Sequence, residues 1–341
     1  MTDPGASGSA AVDRPAADRA PEQTERPTTG VLLMAYGTPR APSEIEPYYT
    51  DIRRGRPPTP EALADLTARY AAIGGVSPLA RLTEAQRDAL QAALDQRRPG
   101  RFTVALGLKH AEPKVEVAAR DLADSGVDAI VGLVLAPHYS SYSIGQYLDR
   151  TRQGVDESDA SPQVIGIESW AVEPAFVTFL ADDLRARVTA MREQTGGAVR
   201  VLFTAHSLPQ RIIDAGDPYP DELRSTAEAV AAAVGLTEGD DWQLAWQSAG
   251  RTPEPWIGPD ILEVIDDLGR ARTDEGSDVA GVIVCACGFV ADHLEVLFDL
   301  DIEAAQRAES YGIAFDRTAC VNDDPTIMAA LADRVVAALG S

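Results

Sequence analysis

The chain has 341 residues, 45% of them hydrophobic and 24% charged, a length and balance that suit two domains with sizeable cores in a globular protein. Its formal net charge of −23 offers no basic face for nucleic acid and disfavours docking on an anionic membrane. No apolar run approaches the ~20 residues that a membrane span needs, which argues against stable membrane insertion.

Residues 1–29 lack Leu, Ile and aromatic residues and mix acids with Arg and Pro, so they read as a disordered tail and not as a signal peptide. Without an export signal the expected compartment is the cytoplasm, where Cys285, Cys287 and Cys320 stay reduced. Six short runs rich in Val, Ile and Leu follow: GVLLMAY (30–36), FTVALGL (102–108), AIVGLVLA (129–136), VIGIESW (164–170), RVLFTA (200–205) and GVIVCACGFV (281–290). They lack period-2 alternation, as strands buried on both faces of a parallel sheet do. Helix-like stretches lie between them at 83–97, 173–194 and 220–235, the first with Thr83 placed to cap it. Strands alternating with helices predict an α/β protein with right-handed crossovers, arranged as two similar domains facing a cleft.

In such sheets ligands bind beyond the carboxyl ends of the strands. Four of those ends are chemically unusual here: AYGTP, GLKH, APHYSSYS and TAHSLP. His206, in the last of them, has the chemistry to ligate a metal or take a proton; a capping or core-edge histidine is the alternative. If residues 291–304 are helical, Glu295, Asp299 and Glu303 fall at i, i+4 and i+8 and form one acidic stripe. Metal handling gives such a stripe a reason; a solvated face of a very acidic protein is the other reading. Arg53, Arg54 and Arg56 suit carboxylate or phosphate pairing, or an exposed basic turn. Tyr36, Tyr139, Ser140, Ser141, Tyr142, Ser143 and Tyr147 offer hydrogen bonds and stacking for a flat ligand. Cys285-Ala-Cys287 has one spacer residue, not the two of a zinc or redox pair, and reads as two small buried hydrophobes. There is no glycine-rich phosphate motif and no nucleophile elbow.

The motifs LLMAYGTP (32–39), YYTDIRRGRPPTPE (48–61), RYAAIGGVSPL (69–79), GLKHAEP (107–113), LAPHYSSYS (135–143), TAHSLP (204–209), WQSAGRTPEPWIGPD (246–260) and GFVADHLEVLFDLDIE (288–303) together resemble the ferrochelatases, which insert ferrous iron into a porphyrin. The resemblance runs from about residue 30 onward. It implies two similar Rossmann-like domains with the porphyrin between them: 30–168, completed by 319–341, and 169–318. By the same resemblance His206 is the family's histidine and Glu295 its glutamate, both facing the porphyrin centre. Two pyrrole N–H protons must leave while a cation arrives, and an imidazole beside a carboxylate suits that exchange. Asp299 and Glu303 then correspond to an outer metal site or delivery path. Tyr36, Arg53, Arg69, Tyr70, Ser77 and Tyr147 correspond to contacts with the macrocycle or its propionates, and Lys109 and His110 line the same cleft.

AYGTP is similar to the coproporphyrin ferrochelatases of Gram-positive-type bacteria, in which this tyrosine can ligate the iron of the product. The resemblance therefore implies coproporphyrin III and ferrous iron as substrates, coproheme as product, a monomer, and a downstream coproheme-handling enzyme as partner. Some ferrochelatases carry a [2Fe–2S] cluster on four cysteines; this chain has three, with Ser141 where some relatives supply a ligand, so no cluster is expected. A protoporphyrin IX ferrochelatase, a cobalt or nickel chelatase, and a non-catalytic haem- or metal-binding protein of the same fold are the alternatives. The tracts RRGRPPTPE and WQSAGRTPEPW speak against another chelatase, and retention of both His206 and Glu295 speaks against a non-catalytic protein.

Overall fold

Two four-stranded parallel sheets frame the computed structural model, which describes Met1 and residues 28–340 except Arg251 and Glu275. The first sheet holds β1 (Thr29–Ala35), β2 (Phe102–Leu108), β3 (Ala129–Val134) and β4 (Gln163–Ile167) in the order β2-β1-β3-β4. The second holds β5 (Ala198–His206), β6 (Trp242–Gln247), β7 (Val279–Cys285) and β8 (Ala314–Arg317) in the order β6-β5-β7-β8. Counted within its own half, each order is the same, so the expected pair of similar α/β units is present.

The helices in chain order are α1 (Ile45–Ile52), α2 (Pro60–Ala72), α3 (Leu79–Arg97), α4 (Val115–Asp124), α5 (Gln146–Asp156) and α6 (Pro174–Thr195). They continue as α7 (Gln210–Asp214), α8 (Tyr219–Val234), α9 (Ile261–Asp274), α10 (Leu294–Leu297), α11 (Ala305–Ser310) and α12 (Pro325–Ala338). None among the described residues is long and apolar enough to cross a membrane.

β1 is buried at all seven positions, which is why its apolar residues run without alternation. Val31 and Leu33 face a core that also contains Val201 and Phe203 of the second sheet, with Phe176 and Leu184 of α6 and Leu331 and Val335 of α12. Leu32 and Met34 face an outer core under α4 and α5, and Leu202 and Val282 face its counterpart on the second sheet. The two sheets thus share one inner core and each has an outer one. The last helix, α12, packs on α3, α6, β3 and β4.

Several expectations change. Helix α3 begins at Leu79, four residues before Thr83; Ser77 Oγ accepts from the Leu79 amide at 3.2 Å, and Thr83 instead donates to the Leu79 carbonyl at 2.8 Å inside the helix. Strands expected to reach 136, 170 and 290 stop at Val134, Ile167 and Cys285, where the chain turns toward the cleft. The acidic segment is not one α-helix: the single turn α10 passes into a π-helix, Asp299–Ala304, and then into α11. Thr28 and Thr29, assigned to the tail, bond the Arg101 carbonyl, and Thr29 begins β1; residues 2–27 of the expected tail lie outside the described residues.

Candidate active site

The order within each sheet turns β2 and β3, or β6 and β7, to opposite sides of the first strand, and the crevice at that switch is where ligands bind in open α/β sheets. Tyr36 follows β1, Lys109 and His110 follow β2, and His206 ends β5. His293 and Glu295 lie beyond β7, at the start of α10.

His206 Nδ1 lies 2.5 Å from the Ser207 carbonyl oxygen, so it carries a hydrogen and donates, which leaves Nε2 to the cleft. That Nε2 is 3.7 Å from Glu295 Oε1. Buried amide chemistry fixes the pair. Thr204 Oγ1 donates to Gln247 Oε1 at 2.9 Å, and Gln247 Nε2 donates to the Glu295 carbonyl at 3.0 Å. Gly288 brings the chain after β7 directly onto β5, since a Cβ there would stand 2.4 Å from Ala205 Cβ. The structure adds a second imidazole: His293 Nε2 is 3.7 Å from Glu295 Oε2. Burial lowers the pKa of His293, and the Glu295 charge opposes that shift.

Asp299 does not stand open beside Glu295. Its Oδ1 accepts from Arg69 Nη2 at 2.8 Å and its Oδ2 from Ser248 Oγ at 2.5 Å. Burial and the nearby Glu295 push its carboxyl up to about 6, against the pull of Arg69. Glu303 is half-exposed, 3.8 Å from the same guanidinium, which also covers the Phe298 ring at 4.5 Å. Arg69 is therefore committed to carboxylates of its own chain. Among the described residues, no group of three or more His, Cys, Asp or Glu side chains is gathered into a metal set.

The opposite wall comes from the first half. Tyr36 is 43% exposed and its ring meets that of His110 at a tilt of 56°, with centroids 4.6 Å apart. The protein atoms crowding its hydroxyl raise its pKa, as do the charges of Glu295 and Asp51, so the Glu295 field reaches across the cleft. His110 Nδ1 donates to Asp51 Oδ2 at 2.7 Å, and Lys114 Nζ holds the other oxygen at 3.0 Å. Burial pushes His110 down to about 4. Tyr70 and Tyr147 are buried, and burial with the Glu295 charge takes Tyr70 up to about 12. Tyr70 hydroxyl is 3.4 Å from Thr38 Oγ1. Ser77 is buried as the amide acceptor at α3, and Arg53 lies over the Tyr49 ring at 5.7 Å. Ser141 Oγ donates to Asp217 at 2.6 Å. All three cysteines are buried and unpaired.

Sequence reasoning missed His293, Asp51 and Arg150. The two-residue spacing of His293 and Glu295 was a signal for the first; Asp51 and Arg150 acquire meaning only through contacts made by the fold.

A ferrochelatase family model matches residues 28–339. The chain belongs to the ferrochelatase family. It is 44% identical to the coproporphyrin III ferrochelatase of Geobacillus thermodenitrificans, over 91% of this chain and 95% of that one. It is 40% identical to the coproporphyrin III ferrochelatase of Bacillus subtilis, over 92% and 99%, and 40% identical to a ferrochelatase of Herpetosiphon aurantiacus, over 88% and 95%. Among solved structures, a sirohydrochlorin chelatase from Bacillus subtilis subspecies spizizenii in complex with cobalt aligns with a TM-score of 0.53, at 10% identity, over 91% of this chain and 95% of that chain. That likeness concerns the fold.

Proposed function

We propose that this ferrochelatase inserts ferrous iron into coproporphyrin III to give Fe-coproporphyrin III in haem biosynthesis. The observation that carries the reading is the 3.7 Å approach of His206 Nε2 to Glu295 beyond the carboxyl ends of β5 and β7. The names of the relatives from Geobacillus and Bacillus support the four-propionate substrate.

The reaction exchanges two pyrrole N–H protons for one Fe²⁺. His206 Nε2 supplies a nitrogen lone pair and Glu295 a carboxylate, so one can hold the incoming cation while the other takes a proton. His293 stands behind Glu295 as a further acceptor. Bending the macrocycle exposes its nitrogen lone pairs, and a cleft braced by a shared core supplies that distortion from binding energy remote from the metal. Tyr36 faces the same centre from the first half and is the proposed ligand to the product iron. Arg53, Ser77, Tyr70, Tyr147, Lys109 and His110 are the proposed contacts to the ring and its propionates, and Asp299 and Glu303 the outer carboxylates, with Arg69 between them.

The proposal extends to a cytoplasmic monomer without a [2Fe–2S] cluster that passes its product to a coproheme-handling enzyme. Three cysteines fall short of the usual four thiolates. It also divides the chain at 30–168 and 169–318, with 319–341 returning to the first domain, a division supported by the two sheets and the seat of α12.

The test is anaerobic insertion of ferrous iron followed by absorbance, with coproporphyrin III and protoporphyrin IX side by side. Faster insertion into coproporphyrin supports the reading. Faster insertion into protoporphyrin transfers the enzyme to the other substrate, and insertion into neither removes the assignment.

A further inference from the structure

Lys109 is an anomaly. The chain carries 53 acidic residues against 30 Lys and Arg, and two other cations of the first half are matched: Lys114 has Asp51 at 3.0 Å and Arg69 has Asp299 at 2.8 Å. Lys109, among the described residues, has no carboxylate partner. Its Nζ rests 5.2 Å from the centre of the Tyr147 ring, on the cleft wall that also carries Tyr36 and His110. The two charges that act on it most strongly, those of Arg150 and Arg54, have its own sign. Arg150 Nη1 donates to the Lys109 carbonyl at 2.9 Å, and the carboxylate closest to Arg150, Glu116, is 3.9 Å away. Burial pushes the Lys109 ammonium down to about 8, with Arg150 and Arg54 adding to the shift. A partly buried ammonium among like charges is unfavourable by itself, and a carboxylate arriving beside it relieves both the desolvation and the repulsion.

The reading of the substrate as coproporphyrin says where that carboxylate comes from. Coproporphyrin III carries four propionates; protoporphyrin IX carries two, with vinyl groups in place of the others. A vinyl group gives Lys109 nothing to pair with. Resting on that reading, we propose that Lys109, backed by Arg150, seats a propionate that coproporphyrin has and protoporphyrin lacks, and so helps the cleft count the acid arms of the ring.

The test is equilibrium binding of metal-free coproporphyrin III and metal-free protoporphyrin IX, followed by tryptophan quenching, for the wild type, Lys109→Met and Lys109→Arg. Lys109→Met is expected to weaken coproporphyrin binding by about 10-fold, as loss of a charge-assisted hydrogen bond does. Protoporphyrin binding should stay within about 2-fold, and Lys109→Arg should restore most of the loss. If Lys109→Met folds poorly, Arg150→Met carries the same comparison with a smaller loss in the same direction. Equal weakening of both rings, or of neither, overturns the inference. Failure of the substrate reading shows separately, as a wild type that inserts iron faster into protoporphyrin.

Discussion

Arg69 on α2 and Asp299 in the π-helix beyond α10 are joined by a 2.8 Å ion pair across 230 residues of sequence. The contact ties the lip formed by α1 and α2 to the second half. Ile45, Tyr70 and Leu294 close a small apolar cluster beneath it, and Phe298 lies under the guanidinium. The carboxylate nearest to Glu295 on the acidic stripe is thus part of the brace that sets the cleft mouth.

Removing one partner of this pair leaves the other buried alone, which is more harmful than removing both. Arg69→Met is expected to lower stability by about 2 kcal/mol, and Arg69→Met with Asp299→Asn by clearly less. Urea unfolding of the two variants beside the wild type measures the difference; equal losses would mean that the pair has no coupling.

His206→Ala and Glu295→Gln should each reduce iron insertion by about 100-fold or more while leaving porphyrin binding within a few-fold, because both act on the protons and the metal and not on the ring periphery. Insertion rates and porphyrin quenching on the same preparations separate the two effects. An insertion rate that survives either change argues against the pair.

Gly288→Ala should act on the same chemistry without touching it. The added methyl meets Ala205 Cβ at 2.4 Å and Ala205 Cα at 2.6 Å, so the chain after β7 must lift from β5 and carry Glu295 away from His206. A displacement near 1 Å costs on the order of 100-fold in a positioned reaction. Turnover is expected to fall by at least 10-fold with little change in porphyrin affinity, and unchanged turnover would show that the two strands do not set the spacing.

Acid should destabilise the fold through His138. Its Nε2 is 2.8 Å from Thr226 Oγ1, which itself donates to the Ala171 carbonyl at 2.7 Å, so the imidazole donates through Nε2; among the described residues its Nδ1 has no partner. Burial pushes its pKa from 6.5 down to about 3. Between those values the unfolded chain binds the proton and the native one does not, so stability falls as pH falls, by up to ~1.4 kcal/mol per pH unit. His110, pushed to about 4, adds to that slope, whereas Asp299, raised from 3.8 to about 6, opposes it between those values. Urea midpoints at pH 7 and pH 5.5 should draw closer together in His138→Gln; an unchanged difference would assign the acid sensitivity elsewhere.

The strands legible in the sequence were those buried on both faces, such as β1 and β7, where nothing breaks the apolar run. Strand β6 (WQLAWQ) and the four-residue β8 lie at the edges of their sheet and mix polar residues into the pattern, which hid them. The π-helix was hidden because a carboxylate every four residues suits an α-helix equally well, and the wider turn is set by packing around Leu300 and Ala304. His206 stands out at a strand end and Glu295 on an acidic stripe, while their joint role is implied by the family motifs. Their 3.7 Å approach depends on Gln247 and Gly288, which no spacing connects to either. The pairing of Arg69 with Asp299 was invisible for the same reason.

The seat of α12 on α3, β3 and β4 has a consequence for biogenesis. On the ribosome the first sheet emerges early, yet Val131 and Leu133 wait for Leu331 and Val335 until α12 has been made. Throughout that interval the nascent chain exposes a sticky flank, so holdase chaperones have a defined patch to cover. A premature stop ahead of Pro325 would leave that flank bare for good, and its product would aggregate with every residue of the reaction centre intact.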